Sequence, residues 1–277
     1  MIWIVTDTAQ ELKSRPTDGL AVISLPLIVN SAEQAEPMEP ERFYELLADD
    51  SVELKTSQAT PAKFQELFEE LTANGDEVVA VLLSSKLSGT FNSARLAALE
   101  TEGVYLVDTE EACLSQTALV KRAMQLRDEG LDAAGIADRL NQEKEDVVLL
   151  AAIPSLKYLK KGGRISPAAA AVGDLVGVKP IVTINADGDV AVAAKTRGLK
   201  KAIKKTAEMA DDLQIDFLRP VVVGYSGTDT SNAEKLKEEV ENLTGQKISS
   251  ELHSLSPVLA VHAGPDAAGI GFFRKKQ

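Results

Sequence analysis

The sequence has few of the residues that build disulfides, zinc sites and membrane spans. Its 277 residues include one cysteine, Cys113, and two histidines, His253 and His262. A single cysteine excludes an internal disulfide and favours a reducing cytoplasm. One cysteine and two histidines are too few to favour a zinc site built from these residues, and we predict no metal. No apolar run approaches the ~18 residues of a spanning helix, and the opening MIWIVTDT reaches Asp7 too early for a signal peptide. We therefore predict a cytoplasmic protein without a membrane span.

Several common functional motifs are also missing. Neither a glycine-rich Walker loop nor a dinucleotide-binding fingerprint follows any predicted strand, so we predict no nucleotide cofactor. The segment GYSGT around Ser226 is one residue short of the GxSxG elbow of serine hydrolases. The net charge of -12 argues against nucleic-acid binding, because phosphate contacts need an excess of basic residues on one face.

The first half of the chain alternates between predicted strands and helices. Apolar, β-branched runs predict strands over Ile2–Val5, Ala21–Val29, Glu77–Leu83, Val104–Val107 and Asp146–Ala151. Helices are predicted over Glu41–Leu47, Pro61–Ala73, Phe91–Leu99, Glu111–Asp128 and Ala133–Glu143. This alternation is typical of a doubly wound, mostly parallel sheet. We therefore predict an N-terminal α/β domain over residues 1–157.

The second half changes its pattern. A helix is predicted to start near Ser166 and Pro167, which suit an N-cap and a first helical turn. Strands are predicted over Lys179–Ile184, Asp189–Lys195, Pro220–Tyr225, Lys247–Ser254, Val258–Ala263 and Gly269–Phe273. The Asp187-Gly188 turn joins the first two of these strands as a hairpin. We therefore predict a C-terminal α+β domain with an antiparallel sheet over residues 158–277.

The segment LSSKLSGTFNSA, residues 83–94, predicts an anion-binding turn. It lies between a buried strand and a helix, so Ser88, Gly89 and Thr90 would offer backbone N–H groups, two hydroxyls and the positive end of a helix dipole. A carboxylate or a phosphate would suit such a turn. The alternative is that Ser88 or Thr90 serves only as an N-cap.

Polar residues also follow the predicted parallel strands. Thr6, Asp7 and Thr8 follow the first strand, Ser84 and Ser85 the third, and Asp108 and Thr109 the fourth. Ligands bind at the carboxyl ends of the strands in such sheets, whereas each residue alone is more often a turn former. Asp7 and Asp108 by themselves make a weak metal site, because no further carboxylates cluster with them.

These segments resemble the DegV family, the fatty-acid-binding subunits of bacterial fatty acid kinase. The matching motifs follow the family's order along nearly the whole chain. They are VTDT (5–8), KTSQATP (55–61), LSSKLSGTFNSA (83–94), VDT (107–109), YLKKGGRIS (158–166), VKPI (178–181), TRGLKKA (196–202) and HAGPDAAG (262–269). The resemblance implies two α/β domains with one long-chain fatty acid between them.

The resemblance also implies roles for individual residues. It places Ser88, with Thr56 or Ser57, on the carboxylate of the fatty acid, and Arg197 and His262 close to that head group. A separate ATP-dependent kinase subunit would phosphorylate the bound acid to an acyl phosphate, so this chain would be a lipid carrier and not an enzyme. A second hypothesis is a stand-alone phosphotransferase or hydrolase acting on a small anionic substrate at the same edge.

Arg164, in the loop YLKKGGRIS, is predicted to dock the kinase subunit. The basic loop stands out in an acidic chain, and loops carry function more often than helix faces do. The alternative is a structural linker in which the arginine bonds local carbonyl groups.

The chain departs from the family pattern at Asp266, where a glycine is usual, and in the segment from Cys113 to Thr117. A carboxylate at position 266 would weaken anion binding unless it points away or orients His262.

Overall fold

A computed structural model describes residues 1–34, 38–166 and 177–276. In these ranges the strands are β1 (Ile2–Asp7), β2 (Leu20–Ile23), β3 (Leu27–Val29), β4 (Ala32–Glu33), β5 (Leu54–Thr56), β6 (Glu77–Leu82), β7 (Val104–Asp108), β8 (Val147–Ala152), β9 (Val178–Ile184), β10 (Val190–Arg197), β11 (Val222–Tyr225), β12 (Leu252–Ser254) and β13 (Ala268–Phe273). The helices are α1 (Pro40–Ala48), α2 (Pro61–Thr72), α3 (Thr90–Ala98), α4 (Cys113–Asp128), α5 (Ala133–Glu143), α6 (Lys157–Lys161), α7 (Leu199–Asp212), α8 (Ser231–Thr244) and α9 (Pro257–Ala263). The helix predicted to start near Ser166 and Pro167 extends outside the described residues.

The first sheet is the predicted parallel one. Its four strands run in the order β2-β1-β6-β7, and every neighbouring pair is parallel. The central strand β6 is buried on both faces, as its unbroken apolar run predicts. The strand predicted over Ala21–Val29 is interrupted at Ser24–Pro26, so β2 joins this sheet while β3 pairs antiparallel with β4 and β5 in a small separate sheet. Pro26 lacks an N–H and cannot continue a ladder.

The second sheet has six strands in the order β10-β9-β8-β13-β11-β12. All pairs are antiparallel except β11 with β12. The α+β class with a mainly antiparallel sheet is therefore confirmed. The assignment of Asp146–Ala151 to the first sheet is wrong, because β8 pairs with β13 and β9. This second sheet thus begins before residue 158, and the division into two domains there stays a prediction.

Two predictions for the last part of the chain are wrong. Val258–Ala263, predicted as a strand, lies in helix α9, with Pro257 in its first turn. A short apolar run fits either a buried strand or a helix, and here Val258 and Val261, three residues apart, are both buried. Only Leu252–Ser254 of the strand predicted over Lys247–Ser254 forms a strand.

Helix α4 lies between the two sheets and positions the candidate site. It packs on β1 and β6 of the first sheet and on β8, β11 and β13 of the second. Leu119 and Leu126 of α4 are fully buried in the core that the two sheets share. Helices α2 and α3 cover the other face of the first sheet, and α7 and α8 cover the other face of the second. In the ranges given above, no helix is long and apolar enough to cross a membrane.

Candidate functional site

A deep apolar cavity lies where the carboxyl end of the first sheet faces the second sheet. It contains about 1050 Å³ of space free of protein atoms, a figure that includes the open solvent at its mouth. Apolar side chains from both sheets, from α4 and from α9 form most of its wall. They include Ala9, Leu25, Leu83, Leu87, Leu114, Leu149, Ala151, Ile153, Val182, Ile184, Val258 and Leu259. Such a wall suits a long apolar ligand.

Five polar residues that the sequence predicts to bind the ligand or the partner line this cavity. They are Thr56, Ser57, Ser88, Arg164 and His262. Three of them, Thr56, Arg164 and His262, also line a second, neighbouring cavity, whose wall includes Lys55 and Lys161. The apolar cavity therefore meets a basic, polar opening at the residues that the two cavities share. The chain brings together four segments here that are far apart in sequence.

His262 and Thr56 form a direct contact at this opening. The Thr56 Oγ1 and His262 Nε2 atoms are 3.0 Å apart. Burial, and then the positive charge of Arg164, lowers the pKa of His262 to about 4. The imidazole is therefore neutral at physiological pH. Its other nitrogen, Nδ1, is buried and has no hydrogen-bond partner among the described residues.

The backbone of Gly162 lies against the His262 ring. A Cβ atom at position 162 would be 2.1 Å from His262 Nδ1, so any side chain there would displace the imidazole. Gly162 is not among the predicted site residues, although the pair Gly162-Gly163 in YLKKGGRIS indicates a close backbone approach.

The turn at Ser88 has the predicted position, but its three residues have different surroundings. Ser88 lines the cavity, while Gly89 and Thr90 do not. Helix α3 begins at Thr90, and the Ser88 hydroxyl accepts a hydrogen bond from the Thr90 N–H at 3.2 Å and lies 2.9 Å from the Thr90 hydroxyl. Gly89 packs on the Gln58 side chain so closely that a Cβ at position 89 would lie 1.8 Å from Gln58 Oε1. Gly89 thus allows the TSQ and SGT segments to meet.

Arg164 is partly buried and joins two loops at the cavity. Its guanidinium donates to the Gly162 carbonyl at 2.6 Å and to the Leu87 carbonyl at 3.4 Å. The local carbonyl contacts of the alternative interpretation are therefore present. The same side chain also lines both cavities, where its charge faces His262. A docking function for Arg164 stays a prediction.

Arg197 lies elsewhere. It is the last residue of β10, an edge strand of the second sheet, where it pairs with Val178 and is exposed. Among the described residues, the walls of the two cavities do not include it. This position does not put Arg197 on either cavity wall, and its place near the head group stays a prediction.

The polar strand ends of the first sheet mainly hold loops in place. Asp7 is buried and accepts hydrogen bonds from the Ala9 and Leu83 N–H groups, both at 2.8 Å. Burial raises its pKa to about 6. Asp108 accepts from the Ser85 and Glu110 N–H groups. Within the described ranges, no three side chains of histidine, cysteine, aspartate or glutamate form a group that could hold a metal ion.

Asp266 points away from the cavity. A Cβ on Gly227 would lie 3.5 Å from the Asp266 carboxylate, and Asp266 is not among the lining residues. Its backbone has a φ of 61°, in the left-handed region that glycine adopts most easily. The departure from glycine at this position therefore places no carboxylate against the polar end.

Comparisons with known proteins agree with this architecture. The profile of the DegV family, described as uncharacterised proteins, matches residues 1–275. A DegV domain-containing protein of Caldanaerobacter subterraneus subsp. tengcongensis is 32% identical over 288 residues, with 99% of both chains covered. A DegV family protein from Thermus thermophilus, solved in a study of its fatty acid binding, has a TM-score of 0.85 at 29% identity, and 99% of each chain is covered. DegV of Bacillus subtilis, described as a fatty acid binding protein, has a TM-score of 0.81 at 27% identity with 99% of both chains covered.

Proposed function

Because this chain belongs to the DegV family, we propose that it binds one long-chain fatty acid, with the acyl chain in the apolar cavity and the carboxylate at the polar opening. The observation that carries this proposal is the cavity itself, an apolar chamber with hydroxyl, imidazole and guanidinium groups gathered where it opens. Relatives of similar architecture from Thermus thermophilus and Bacillus subtilis are described as binding fatty acids.

The energetics favour a long acyl chain. Burial of each methylene contributes roughly 0.8 kcal/mol, so an acyl chain of about sixteen carbons supplies on the order of 10 kcal/mol before ordering costs. A small anionic substrate would leave this apolar wall without a partner. The chamber therefore supports a lipid better than it supports the small substrate of a phosphotransferase or hydrolase.

The carboxylate needs donors, because a buried charge without partners is costly. Ser88, Thr56 and Ser57 supply hydroxyls at the opening, and Arg164 supplies a positive charge there. The neutral His262 can donate or accept, depending on which ring nitrogen carries the proton. Thr56 and His262 are in hydrogen-bond contact, but His262 Nδ1 has no partner among the described residues, so the group that would orient the base of a covalent hydrolase is missing there.

The proposal includes presentation of the head group to a separate ATP-dependent kinase subunit. The neighbouring cavity shares Thr56, Arg164 and His262 with the apolar cavity and also has Lys55 and Lys161 in its wall. A phosphate added to the carboxylate would lie beside these cationic side chains. The chain would then be a carrier, in which Arg164 docks the kinase subunit and Arg197 and His262 favour the phosphorylated form.

Lipid extraction tests the binding part of the proposal. Organic extraction and mass spectrometry of the purified full-length protein should recover about one long-chain fatty acid per chain. The same preparation should not hydrolyse ATP or small phosphate esters. Protein that contains no lipid and cannot be loaded with it would contradict the proposal, and turnover of a small anionic substrate would favour the alternative enzyme.

A reconstituted kinase assay tests the carrier part. With ATP and a bacterial fatty acid kinase catalytic subunit, Arg197→Ala and His262→Ala should depress acyl-phosphate formation while the protein still binds lipid. Arg164→Glu should reduce association with the kinase subunit, and because this side chain also faces the head-group opening, bound lipid must be measured in parallel. Lys200→Glu, on the exposed face of α7, is the matched charge-reversal control. Normal phosphorylation in all three variants would refute the carrier proposal but leave lipid binding intact.

A further inference from the structure

The start of α4 packs on glycines of the second sheet. Cβ atoms built on Gly224 and Gly269 would lie 2.6 Å and 3.2 Å from the methyl carbons of Leu114. A Cβ on Gly271 would lie 2.3 Å from the Leu114 backbone. These glycines bring α4 close enough for Leu114, which is 1% exposed, to lie flat on β11 and β13.

The same contacts show where the cavity stops along β13. Ala267, Ala268 and Gly269 line the cavity, and Gly269 lies under the tip of the Leu114 side chain. Two residues further, Gly271 is covered by the α4 backbone and is not part of the cavity wall. On the N-terminal side of β13, the cavity wall continues through Ala263 to His262 at the opening. Leu114 therefore bounds the cavity where α4 meets β11 and β13.

We propose that Leu114 sets the length of acyl chain that the cavity accepts. This inference rests on the proposed binding of a fatty acid and concerns which acid is preferred. Leu114 is a wall of the cavity, and its methyl groups fill the space above Gly224 and Gly269. Truncation to alanine removes three carbon atoms, and the space released is continuous with the cavity because both glycines line it.

Leu114→Ala should shift the preference toward longer acids. The released space accommodates about two more methylenes, and each methylene that becomes buried raises affinity about fourfold. In a displacement titration with saturated acids of increasing length, the preferred length should rise by about two carbons, and affinity for acids of that length should rise about fifteenfold. The lipid extracted from this variant should shift in the same direction.

Leu119→Ala is the matched control. Leu119 lies on the same helix and is fully buried in the same core, but it is not part of the cavity wall. Both substitutions leave a void in the core, so a change in chain-length preference confined to Leu114→Ala cannot arise from lost stability alone. An equal shift in both variants would overturn the inference.

Ala151→Val tests the inference in the opposite direction and does not depend on the folding of a truncated variant. Ala151 pairs with Gly269 across β8 and β13 and lines the cavity beside Leu114. Two added methyl carbons should lower the preferred length by one or two carbons. Wild-type preference in both Leu114→Ala and Ala151→Val, with lipid still bound, would overturn the inference and leave the proposed function standing. Absence of lipid from the wild-type protein would instead overturn the proposed function.

Discussion

The Ser88 hydroxyl combines a local structural contact with a position on the cavity wall. Its oxygen accepts from the Thr90 N–H, and the Thr90 hydroxyl lies 2.9 Å away. When Thr90 is the donor in that second contact, the Ser88 hydrogen is free to point at a ligand. Hydroxyls of this kind suit a carboxylate, which only accepts hydrogen bonds.

Ser88→Ala should weaken fatty-acid binding roughly tenfold or more. Loss of one hydrogen bond to a charged acceptor costs about 1.5 to 3 kcal/mol. Isothermal titration of delipidated protein with a long-chain fatty acid measures the effect. Ser85→Ala is the control, because Ser85 lies on the same loop but not on the cavity wall. Unchanged affinity in Ser88→Ala would eliminate Ser88 as a head-group ligand.

At the scale of elements, the α6 turn supports the imidazole of α9. Helix α6 ends at Lys161, and Gly162 follows with an ordinary α conformation, so an alanine would fit its backbone. Space is the constraint, because the His262 ring occupies the position where a Cβ would stand. The aromatic ring is rigid and must move as a unit.

Gly162→Ala should therefore displace His262 and break its contact with Thr56. We expect fatty-acid affinity to fall at least fivefold, with a change in the titration of the His262 ring measured by NMR. Gly163→Ala is the control, since a Cβ there meets no atom within 4 Å. It should cost about 1 kcal/mol of stability for its left-handed backbone and leave the His262 signal unchanged. An unshifted His262 signal in Gly162→Ala would contradict the contact.

Two carboxyl groups with raised pKa values lie beside the start of α4, Glu111 just before the helix and Glu11 in the loop after β1. Burial raises the pKa of Glu111 to about 8 and that of Glu11 to about 7. Glu111 accepts a hydrogen bond from the Ser115 hydroxyl at 2.6 Å, and the charge of Glu110 raises its pKa further. Both carboxyl groups accept hydrogen bonds from the first turns of α4, Glu111 from Ser115 and Glu11 from the Thr117 hydroxyl, next to Cys113 and Leu114 on the cavity wall.

The raised pKa of Glu111 gives stability a defined dependence on pH. The ordinary pKa of this carboxyl is 4.5, so between about pH 4.5 and pH 8 the folded protein holds a proton that the unfolded chain has released. Its contribution to stability is fully present below pH 4.5 and is lost as pH rises through about 8. The raised pKa of Glu11 has the same effect, and its contribution to stability is lost as pH rises through about 7.

Glu111→Gln should therefore flatten the fall in stability between pH 5 and pH 8. At pH 8 the variant should exceed the wild type by on the order of 2 kcal/mol in the free energy of unfolding. Urea denaturation at several pH values measures this difference. Glu110→Gln, at the exposed neighbouring position, should leave the slope nearly unchanged. Identical slopes in Glu111→Gln and the wild type would show that Glu111 is ionised in the folded protein.

At the scale of the whole molecule, the cavity wall belongs to both sheets. Leu25 and Leu83 come from the side of the parallel sheet, and Ala151 and Val182 come from the six-stranded sheet. An acyl chain in the cavity would contact apolar side chains of both sheets that do not contact one another across the cavity. Ligand and fold should therefore stabilise each other.

Removal of lipid should lower the melting temperature. A ligand at 100 times its Kd stabilises a protein by about 2.7 kcal/mol, which corresponds to roughly 5 to 10 °C for a chain of this size. Calorimetry of delipidated protein, before and after reloading with a long-chain fatty acid, measures the shift. Acetate, which lacks the acyl chain, is the control and should restore none of it. Equal melting temperatures with and without bound acid would contradict the coupling.

The sequence by itself determined the elements whose signals are local. The buried strand at Glu77–Leu82, the helix after the SGT turn and the hairpin at Asp187-Gly188 follow from apolar periodicity and turn chemistry, which depend on neighbours in the chain. The motifs also indicated Ser88, Thr56 and His262, and the structure places all three on one cavity. The DegV family assignment is confirmed for residues 1–275.

Tertiary structure alone decided what depends on partners distant in sequence. The run Val258–Ala263 is apolar in either conformation, and its packing on α1, α6 and β5 accompanies the helical form. Strand β8 has the pattern of a strand in either sheet, and its ladder with β13, more than a hundred residues later, assigns it to the second. The pair Gly162-Gly163 indicates a close backbone approach but does not indicate its partner. The contacts of Gly162 with His262, and of Leu114 with Gly224 and Gly269, arise only when the sheets and helices have packed.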